Sequence, residues 1–256
     1  MTHLLGRCIS PSAMLCVALI YTSIGLAQLS PPNPDRPRIH VSYVTVKPDM
    51  LQEWRDIQQN EVVPALKKAG LRRTVWRNAP FNGNQYEFVV ISPIENYGQY
   101  DQENPVIKAV GQEAATRVIS KLRKCIVSQT NFVSTGRRDL SNPPAADQAP
   151  GIAVYSTYRV QPGKAQDYEN YLKAEIQPVY KKNNVIYGVS QRGFGAFSGE
   201  WVTTVYLNKY ADLDGGPTLV RILGQEGAAK VTAKAAGIRT PVRTVVRFRV
   251  PDLSVQ

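Results

Sequence analysis

The sequence predicts an α+β protein in which one β-α-β-β-α-β unit occurs twice. The chain has 256 residues, of which 43% are hydrophobic and 20% charged, a composition typical of a folded protein. Two proline-rich stretches, residues 28–38 and 139–151, separate pieces of about a hundred residues each. The two pieces resemble each other in sequence, which predicts that they share one fold.

The internal resemblance is collinear. An offset of 114 aligns residues 39–71 with 153–185, and an offset of 113 aligns 84–124 with 197–237; 18 of these 74 positions are identical. The longest shared run is Gly-Gln-Glu, which begins at Gly111 and again at Gly224. A glycine inside a helix costs about 1 kcal/mol, so its repetition predicts close packing of the helix against a neighbour.

Residue periodicity places the elements of both pieces. Strands are predicted where β-branched residues alternate with others, and helices where apolar residues recur at helical spacing. The predicted strands are 39–46, 71–77, 85–92, 127–135, 152–160, 185–192, 200–207 and 242–250. The predicted helices are 47–69, 106–124, 164–182 and 217–236. Pro64 and Pro178 recur within the first helix of each piece and predict a shared bend.

This element order is that of the ferredoxin-like, or split βαβ, unit. The predicted units are residues 39–138 and 152–252, joined by a linker at 139–151 and preceded by a lead-in at 28–38. Each unit carries both helices on one sheet face, so its other apolar face needs a cover. Two units in one chain can cover each other by stacking these faces.

Residues 61–70 (EVVPALKKAG), which end the first helix, resemble a segment of the dimeric α+β barrel superfamily, especially its NIPSNAP-like and antibiotic-biosynthesis-monooxygenase-like domains. The match is weaker in the second piece, where Asn183 and Asn184 replace Ala69 and Gly70. The resemblance implies a closed or nearly closed barrel, here as a tandem copy in one chain. It implies no single activity, because the superfamily includes cofactor-free oxygenases, haem enzymes and isomerases.

The first 27 residues have the pattern of an export signal. One arginine precedes an apolar run at 13–27 that ends in Gly-Leu-Ala, and this run is short for a membrane anchor, the alternative reading. The sequence therefore predicts a periplasmic or secreted protein. Cleavage lowers the net charge from +11 to +10 and leaves one cysteine, Cys125, and one histidine, His40. These counts exclude an internal disulfide and a Cys/His zinc site within the mature chain, and no metal is expected.

Three residues are candidates for acid–base catalysis. Glu61 and Glu175 occupy equivalent helix positions and would be general bases if they reached the barrel lumen. The alternative places them at the surface, paired with a lysine or arginine. His40, on the first strand, is either a proton-transfer group or a structural one. Neither helix 106–124 nor helix 217–236 contains a histidine, the usual axial ligand of haem enzymes in the superfamily, so no cofactor is expected.

The last strand carries a basic face. Alternation places Arg243, Arg247 and Arg249 on one side. If that side lines the barrel, it favours a carboxylate or phosphate ligand; if it points outward, it is a solvated strand face. The aromatic candidates for a cavity wall are Trp54, Trp76, Tyr168 and Trp201, and each of these could instead belong to a core.

The leading functional hypothesis is an exported protein that binds a small molecule in a barrel cavity, with an anionic ligand favoured if the basic face lines that cavity. One alternative is a cofactor-independent monooxygenase-like enzyme acting on a small organic substrate, and another is a structural or protein-interaction role. Nucleic-acid binding is not expected, because no fingerprint accompanies the positive charge. The oligomeric state is left open.

Overall fold

The computed structural model describes residues 33–145 and 150–256, referred to below as the first and second halves. The predicted signal peptide, residues 1–27, lies outside the described residues. The described chain is a mixed α+β structure whose eight antiparallel strands close into a barrel in the order β1-β3-β2-β8-β5-β7-β6-β4. The strands are β1 Arg38–Val46, β2 Thr74–Asn78, β3 Glu87–Ile94, β4 Ile126–Gly136, β5 Ile152–Val160, β6 Tyr187–Arg192, β7 Glu200–Leu207 and β8 Arg239–Arg249.

The two halves contribute four strands each in matching order. The first half forms the run β4-β1-β3-β2, and the second forms β8-β5-β7-β6. Short ladders join them at both edges: Arg77 lies opposite Phe248, and Thr135 lies opposite Gln191. Because both edges are paired, the sheet closes on itself.

The helices pack on the outside of the barrel. They are α1 Leu51–Ile57, α2 Val63–Lys68, α3 Pro105–Val110, α4 Gln112–Cys125, α5 Ala165–Tyr171, α6 Gln177–Lys182 and α7 Thr218–Ala233. The bend expected at Pro64 and Pro178 takes the form of a π-helical turn just before each proline, at Gln58–Val62 and Leu172–Ile176. Proline lacks an N–H and its ring clashes with a carbonyl four residues earlier, and a widened turn relieves both problems.

The glycines of the repeated Gly-Gln-Glu run have a different role from the predicted one. Gly111 separates α3 from α4 with φ 86° and ψ 151°, and Gly224 interrupts α7 with φ 70° and ψ 172°. A Cβ atom at either position would meet nothing within 4 Å. The prediction of close packing is therefore wrong: glycine is needed because other residues rarely adopt this backbone conformation.

Three apolar cores lie within the described part of the chain. Under α1 and α4, Trp54 packs on Phe88 with ring centroids 4.4 Å apart. Under α5 and α6, Tyr168 contacts Trp201 edge-on at 5.3 Å. The third core lies inside the barrel and includes Trp76.

Each half ends in a short 3-10 turn that completes the core of the other half. Leu140, in the turn after β4, is fully buried in the core of the second half. Leu253, in the turn after β8, is fully buried beside Trp54 in the core of the first half. The two leucines are 113 residues apart, the offset of the sequence repeat.

Ion pairs fix these exchanged segments. Arg137, almost fully buried, bonds Asp139 in its own turn and Glu169 on α5 of the second half. Asp252 accepts a hydrogen bond from Arg55 on α1 of the first half at 2.7 Å. The halves therefore hold each other through their closing segments as well as through the barrel.

Candidate functional site

Two cavities lie on opposite faces of the sheet. The larger, about 1080 Å³, is an open space between α7 and the outer face of β5, β7 and β8, and we call it the helix-sheet cleft. The smaller, about 270 Å³, lies inside the barrel, and we call it the interior cavity.

The cleft arises from three differences between the halves. Arg239 and Ile126 occupy equivalent positions in the two halves. Arg239 lies opposite Val160 and Ile126 lies opposite Val46, and the sequence repeat aligns Val160 with Val46. Ile126 packs against the core of the first half, whereas Arg239 lines the cleft.

The other two differences add room and polarity. Leu122, which packs against the first core, corresponds to Ala235 in the cleft wall, and Val44 corresponds to Tyr158. Replacing leucine by alanine leaves space between helix and sheet, and tyrosine introduces a hydroxyl. Where the first half has a filled core, the second half has a cleft.

Arg239 is held by aromatic rings and has no acidic partner among the described residues. Its guanidinium carbon lies 3.5 Å from the centroid of the Tyr158 ring, and the rings of Tyr168 and Tyr171 are centred 5.7 and 5.6 Å away. Its Nε and Nη1 are buried beside the hydroxyls of Tyr168 and Tyr171, and within the described part of the chain none of these atoms makes a hydrogen bond of normal geometry. Burial raises the pKa of the Tyr168 hydroxyl although the nearby Arg239 charge opposes this, so the phenol stays protonated.

The remaining cleft wall is mostly apolar, with a few hydroxyl groups and one further charged residue of each sign, Asp212 and Arg221. Its apolar side chains include Val205, Leu219 and Ala228, and its hydroxyls include Thr232 and Thr244. Such a wall suits a small molecule with an apolar body, and Arg239 can anchor an anionic or electron-rich group of that molecule.

The interior cavity is centred on arginines and tyrosines. Tyr43 is close to two guanidinium groups: the carbon of Arg192 is 5.6 Å and that of Arg247 is 5.0 Å from its ring centroid. Arg192 is paired with Glu200 at 2.7 Å, and Arg247 with Glu87 at 3.0 Å. Burial alone would raise the pKa of Glu87, but its arginine neighbours hold it below its usual value.

The basic face predicted on the last strand is directed to the inside. Arg247 is 1% exposed and lines the interior cavity. Arg243 reaches the same acid, Glu87, at 3.3 Å and is partly exposed. Arg249 lies on the same strand face, and its Nε is buried without a hydrogen-bond partner among the described residues.

The aromatic candidates are divided between cores and the barrel interior. Trp76 belongs to the interior core and contacts Tyr155 edge-on at 5.9 Å. Trp54, Tyr168 and Trp201 are at most 1% exposed in the helix-sheet cores, and none of the three lines either cavity described above.

The candidate acid–base residues are not brought together. Lys121 donates to Glu61 at 2.9 Å and Lys234 donates to Glu175 at 2.8 Å, so both glutamates are surface ion-pair members in the π-helical turns. His40 is half-buried, and its strand neighbours Ile39 and Val41 line the interior cavity, so alternation turns His40 to the other face. Burial lowers its pKa. These three residues line neither cavity.

Arg239, Tyr158 and Arg192 are not among the sequence candidates. A signal for Arg239 is present in the repeat, since aligning the halves sets it against an isoleucine. The last strand begins at Arg239, three residues before its predicted start, so the alternation predicted for that strand does not reach this arginine.

Comparison with known proteins identifies the fold class. No family model matches the sequence, and no curated protein matches it significantly. A candidate monooxygenase from Fusobacterium nucleatum gives a TM-score of 0.58 at 8% identity, covering 85% of this chain and 94% of that one. An anthrone oxidase-like protein gives 0.56 at 8%, covering 86% and 93%. A heme-binding protein from Thermus thermophilus gives 0.50 at 11%, covering 85% and 92%.

At these identities the likeness shows the fold alone. The chain has the fold of the dimeric α+β barrel proteins, with all eight barrel strands supplied by one polypeptide. Which activity it has within that fold class depends on its own residues.

Of the residue types that ligate haem iron, the described wall of the cleft carries tyrosines, Tyr158 and Tyr180. Its described lining contains no histidine, cysteine or methionine. Among residues 33–145 and 150–256, no group of three or more His, Cys, Asp or Glu side chains is arranged to hold a metal ion. In the same ranges, no helix combines the length and apolarity needed to cross a membrane.

Proposed function

We propose that the chain is an exported tandem protein, akin to NIPSNAP-like and antibiotic-biosynthesis-monooxygenase-like domains, that binds a small organic anion in the helix-sheet cleft. The observation that carries the proposal is Arg239. This arginine stands where the other half has a core isoleucine, and two of its buried nitrogens make no hydrogen bond of normal geometry in the described chain.

The tandem interpretation rests on matching features in both halves. The strand order repeats, the π-helical turns recur 114 residues apart, and the exchanged leucines Leu140 and Leu253 recur 113 residues apart. In a dimer of identical subunits that exchange their closing segments, each subunit would likewise complete the core of the other. Fusion of two ferredoxin-like copies accounts for all three features.

The energetic argument concerns an unsatisfied cation. A buried donor without a partner costs about 1–3 kcal/mol, and more when charged. Stacking on Tyr158 offsets part of this cost. A ligand carboxylate or phenolate in the cleft would accept well-aligned hydrogen bonds from Nε and Nη1 of Arg239, while its apolar body would contact Val205 and Leu219. The cleft is also large enough for a drug-sized molecule.

The experiment replaces Arg239 by isoleucine, the residue that the first half has at the equivalent position, Ile126. Calorimetric titration with 1-naphthoate is expected to show binding to the wild type, and binding at least tenfold weaker to Arg239→Ile. The neutral amide of the same acid should bind both proteins weakly. Lys230→Gln is the matched control: it removes a cation from α7, the helix that precedes the strand of Arg239, where the Lys230 side chain is 74% exposed, and it should bind like the wild type.

The same variant tests the energetic argument. Because isoleucine fills this position in the first half, Arg239→Ile is expected to unfold at equal or higher denaturant concentration than the wild type. Equal naphthoate affinity in the wild type and Arg239→Ile, or no binding to the wild type at millimolar concentration, contradicts the proposal.

A cofactor-independent oxygenase is the second candidate function. The structural neighbours include a candidate monooxygenase and an anthrone oxidase-like protein, and Arg239 could stabilise the oxyanion of a deprotonated phenol or anthrone. Conversion of anthrone and O₂ into anthraquinone and water would be measured as oxygen uptake. Uptake that needs Arg239 supports an enzyme, whereas naphthoate binding without turnover supports a carrier. A purely structural role is disfavoured by the open cleft.

A further inference from the structure

We infer that the interior cavity is a second binding site, which takes a small carboxylate between Arg192 and Arg247. This site lies on the opposite face of the sheet from the cleft and shares none of the residues that define it. The inference is therefore independent of the function proposed for Arg239.

Size limits the ligand to small acids. The cavity volume of about 270 Å³ equals the volume of about nine liquid waters, and a cavity of about 150 Å³ suffices for benzene. Acids between acetate and benzoate therefore fit. Pro37, Gly136 and Pro143 line the cavity where β4 ends, so this end of the barrel provides the entrance.

Hydrogen-bond donors converge on the cavity. Arg192 donates through Nη2 to the Tyr43 hydroxyl at 2.8 Å, while its Nε is buried with no partner within the described residues. Tyr155 and Tyr206 line the same cavity, and in the described chain neither hydroxyl makes a hydrogen bond. Burial raises the pKa of both phenols above the usual value, so both stay protonated as donors. A group of unmatched donors calls for a ligand rich in acceptors, which a carboxylate provides.

The local charge is also unmatched. Glu87 is shared by Arg247 at 3.0 Å and Arg243 at 3.3 Å. Glu200 is likewise shared by Arg192 at 2.7 Å and by a second arginine, Arg159, at 3.7 Å. Each carboxylate therefore faces two guanidinium groups, and one bound anion lowers the excess positive charge.

A third arginine at the cavity does not add to this excess. Arg137 lines the cavity wall, but Asp139 and Glu169 both bond its guanidinium. Its charge is therefore already balanced. Arg138, the fourth arginine of the lining, is exposed, so the anion is expected nearer to Tyr43, beside Arg192 and Arg247.

Sodium benzoate is the probe, with benzamide as its neutral counterpart. Calorimetric titration is expected to show a benzoate site that Arg239→Ile retains with unchanged affinity, because Arg239→Ile alters only the cleft. Arg192→Met should weaken binding at least tenfold. Tyr155→Phe and Tyr206→Phe keep the packing and remove one donor each, so each should weaken binding about two- to tenfold.

The location is checked with 4-bromobenzoate soaked into crystals, whose bromine anomalous signal should lie inside the barrel. Should Arg192→Met fail to fold, the two phenylalanine variants still decide the matter. Benzoate affinity that falls in Arg239→Ile but not in the tyrosine variants, or no benzoate binding at tens of millimolar, overturns the inference. The first of these outcomes would leave the cleft proposal standing.

Discussion

Replacing Leu253 by alanine tests whether the two halves share one folding unit. Leu253 follows the last strand of the second half but is fully buried in the core of the first. Truncating a fully buried leucine to alanine costs about 2–5 kcal/mol, from lost transfer free energy and the cavity left behind. In a protein of this size each kcal/mol lowers Tm by about 2–4 °C, so the expected fall is roughly 4–20 °C.

Leu140→Ala is the reciprocal variant, and its effect should be of the same size because Leu140 is equally buried. Urea denaturation followed by hydrogen exchange and mass spectrometry reports on both halves at once. Each variant is expected to lower protection in both halves together, in one transition. Ile119→Ala, at a position 45% exposed on α4, is the control and should change stability by less than about 0.5 kcal/mol.

Separate transitions would refute the reasoning. If Leu253→Ala lowered protection only in residues 33–145 and left the second half unchanged, the halves would fold independently. The exchanged segments would then be local packing with no role in joining the halves.

Three further predictions follow from other contacts. Hydrogen bonds from Arg137 hold the pKa of Glu169 below its usual 4.5. The ionised carboxylate therefore stabilises the fold above pH 4.5, and this stabilisation is lost as the pH falls through the folded-state pKa. In urea titrations between pH 5 and pH 3, Glu169→Gln should reduce this loss of stability. Gly111→Ala should lower the free energy of unfolding by about 1–3 kcal/mol through backbone strain alone, because no atom obstructs the new methyl group. An unchanged melting temperature in thermal denaturation would contradict this. Glu61→Gln and Glu175→Gln remove exposed ion pairs and should each cost less than about 1 kcal/mol, with naphthoate binding unchanged in calorimetry.

The order of strands and helices along the chain could be predicted because its signals are local and repeated. Alternation, helical spacing and the internal alignment do not depend on how the sheets meet, so the elements fall close to their predicted places. The role of Gly111 could not be predicted, because a sequence shows that glycine is required without showing whether space or backbone angle requires it.

The sites were harder to predict because they depend on which face of a strand points inward. His40 is one residue from two cavity-lining side chains, yet it faces away from the cavity. Arg247 was placed on the correct strand face, but only the closed barrel shows that this face is internal. Arg192 comes from the neighbouring half, and its approach to Tyr43 is set by barrel closure across 149 residues of sequence.

Joining both halves in one chain frees them from symmetry. In a dimer of identical subunits, an arginine placed in the core position of one subunit appears in the other as well, and both cores lose an apolar contact. Here Ile126 and Leu122 keep the first half filled, while Arg239 and Ala235 open the second. Under the proposed function, the first half thus supplies a filled core and the second half the binding site, a difference that two identical subunits could not have.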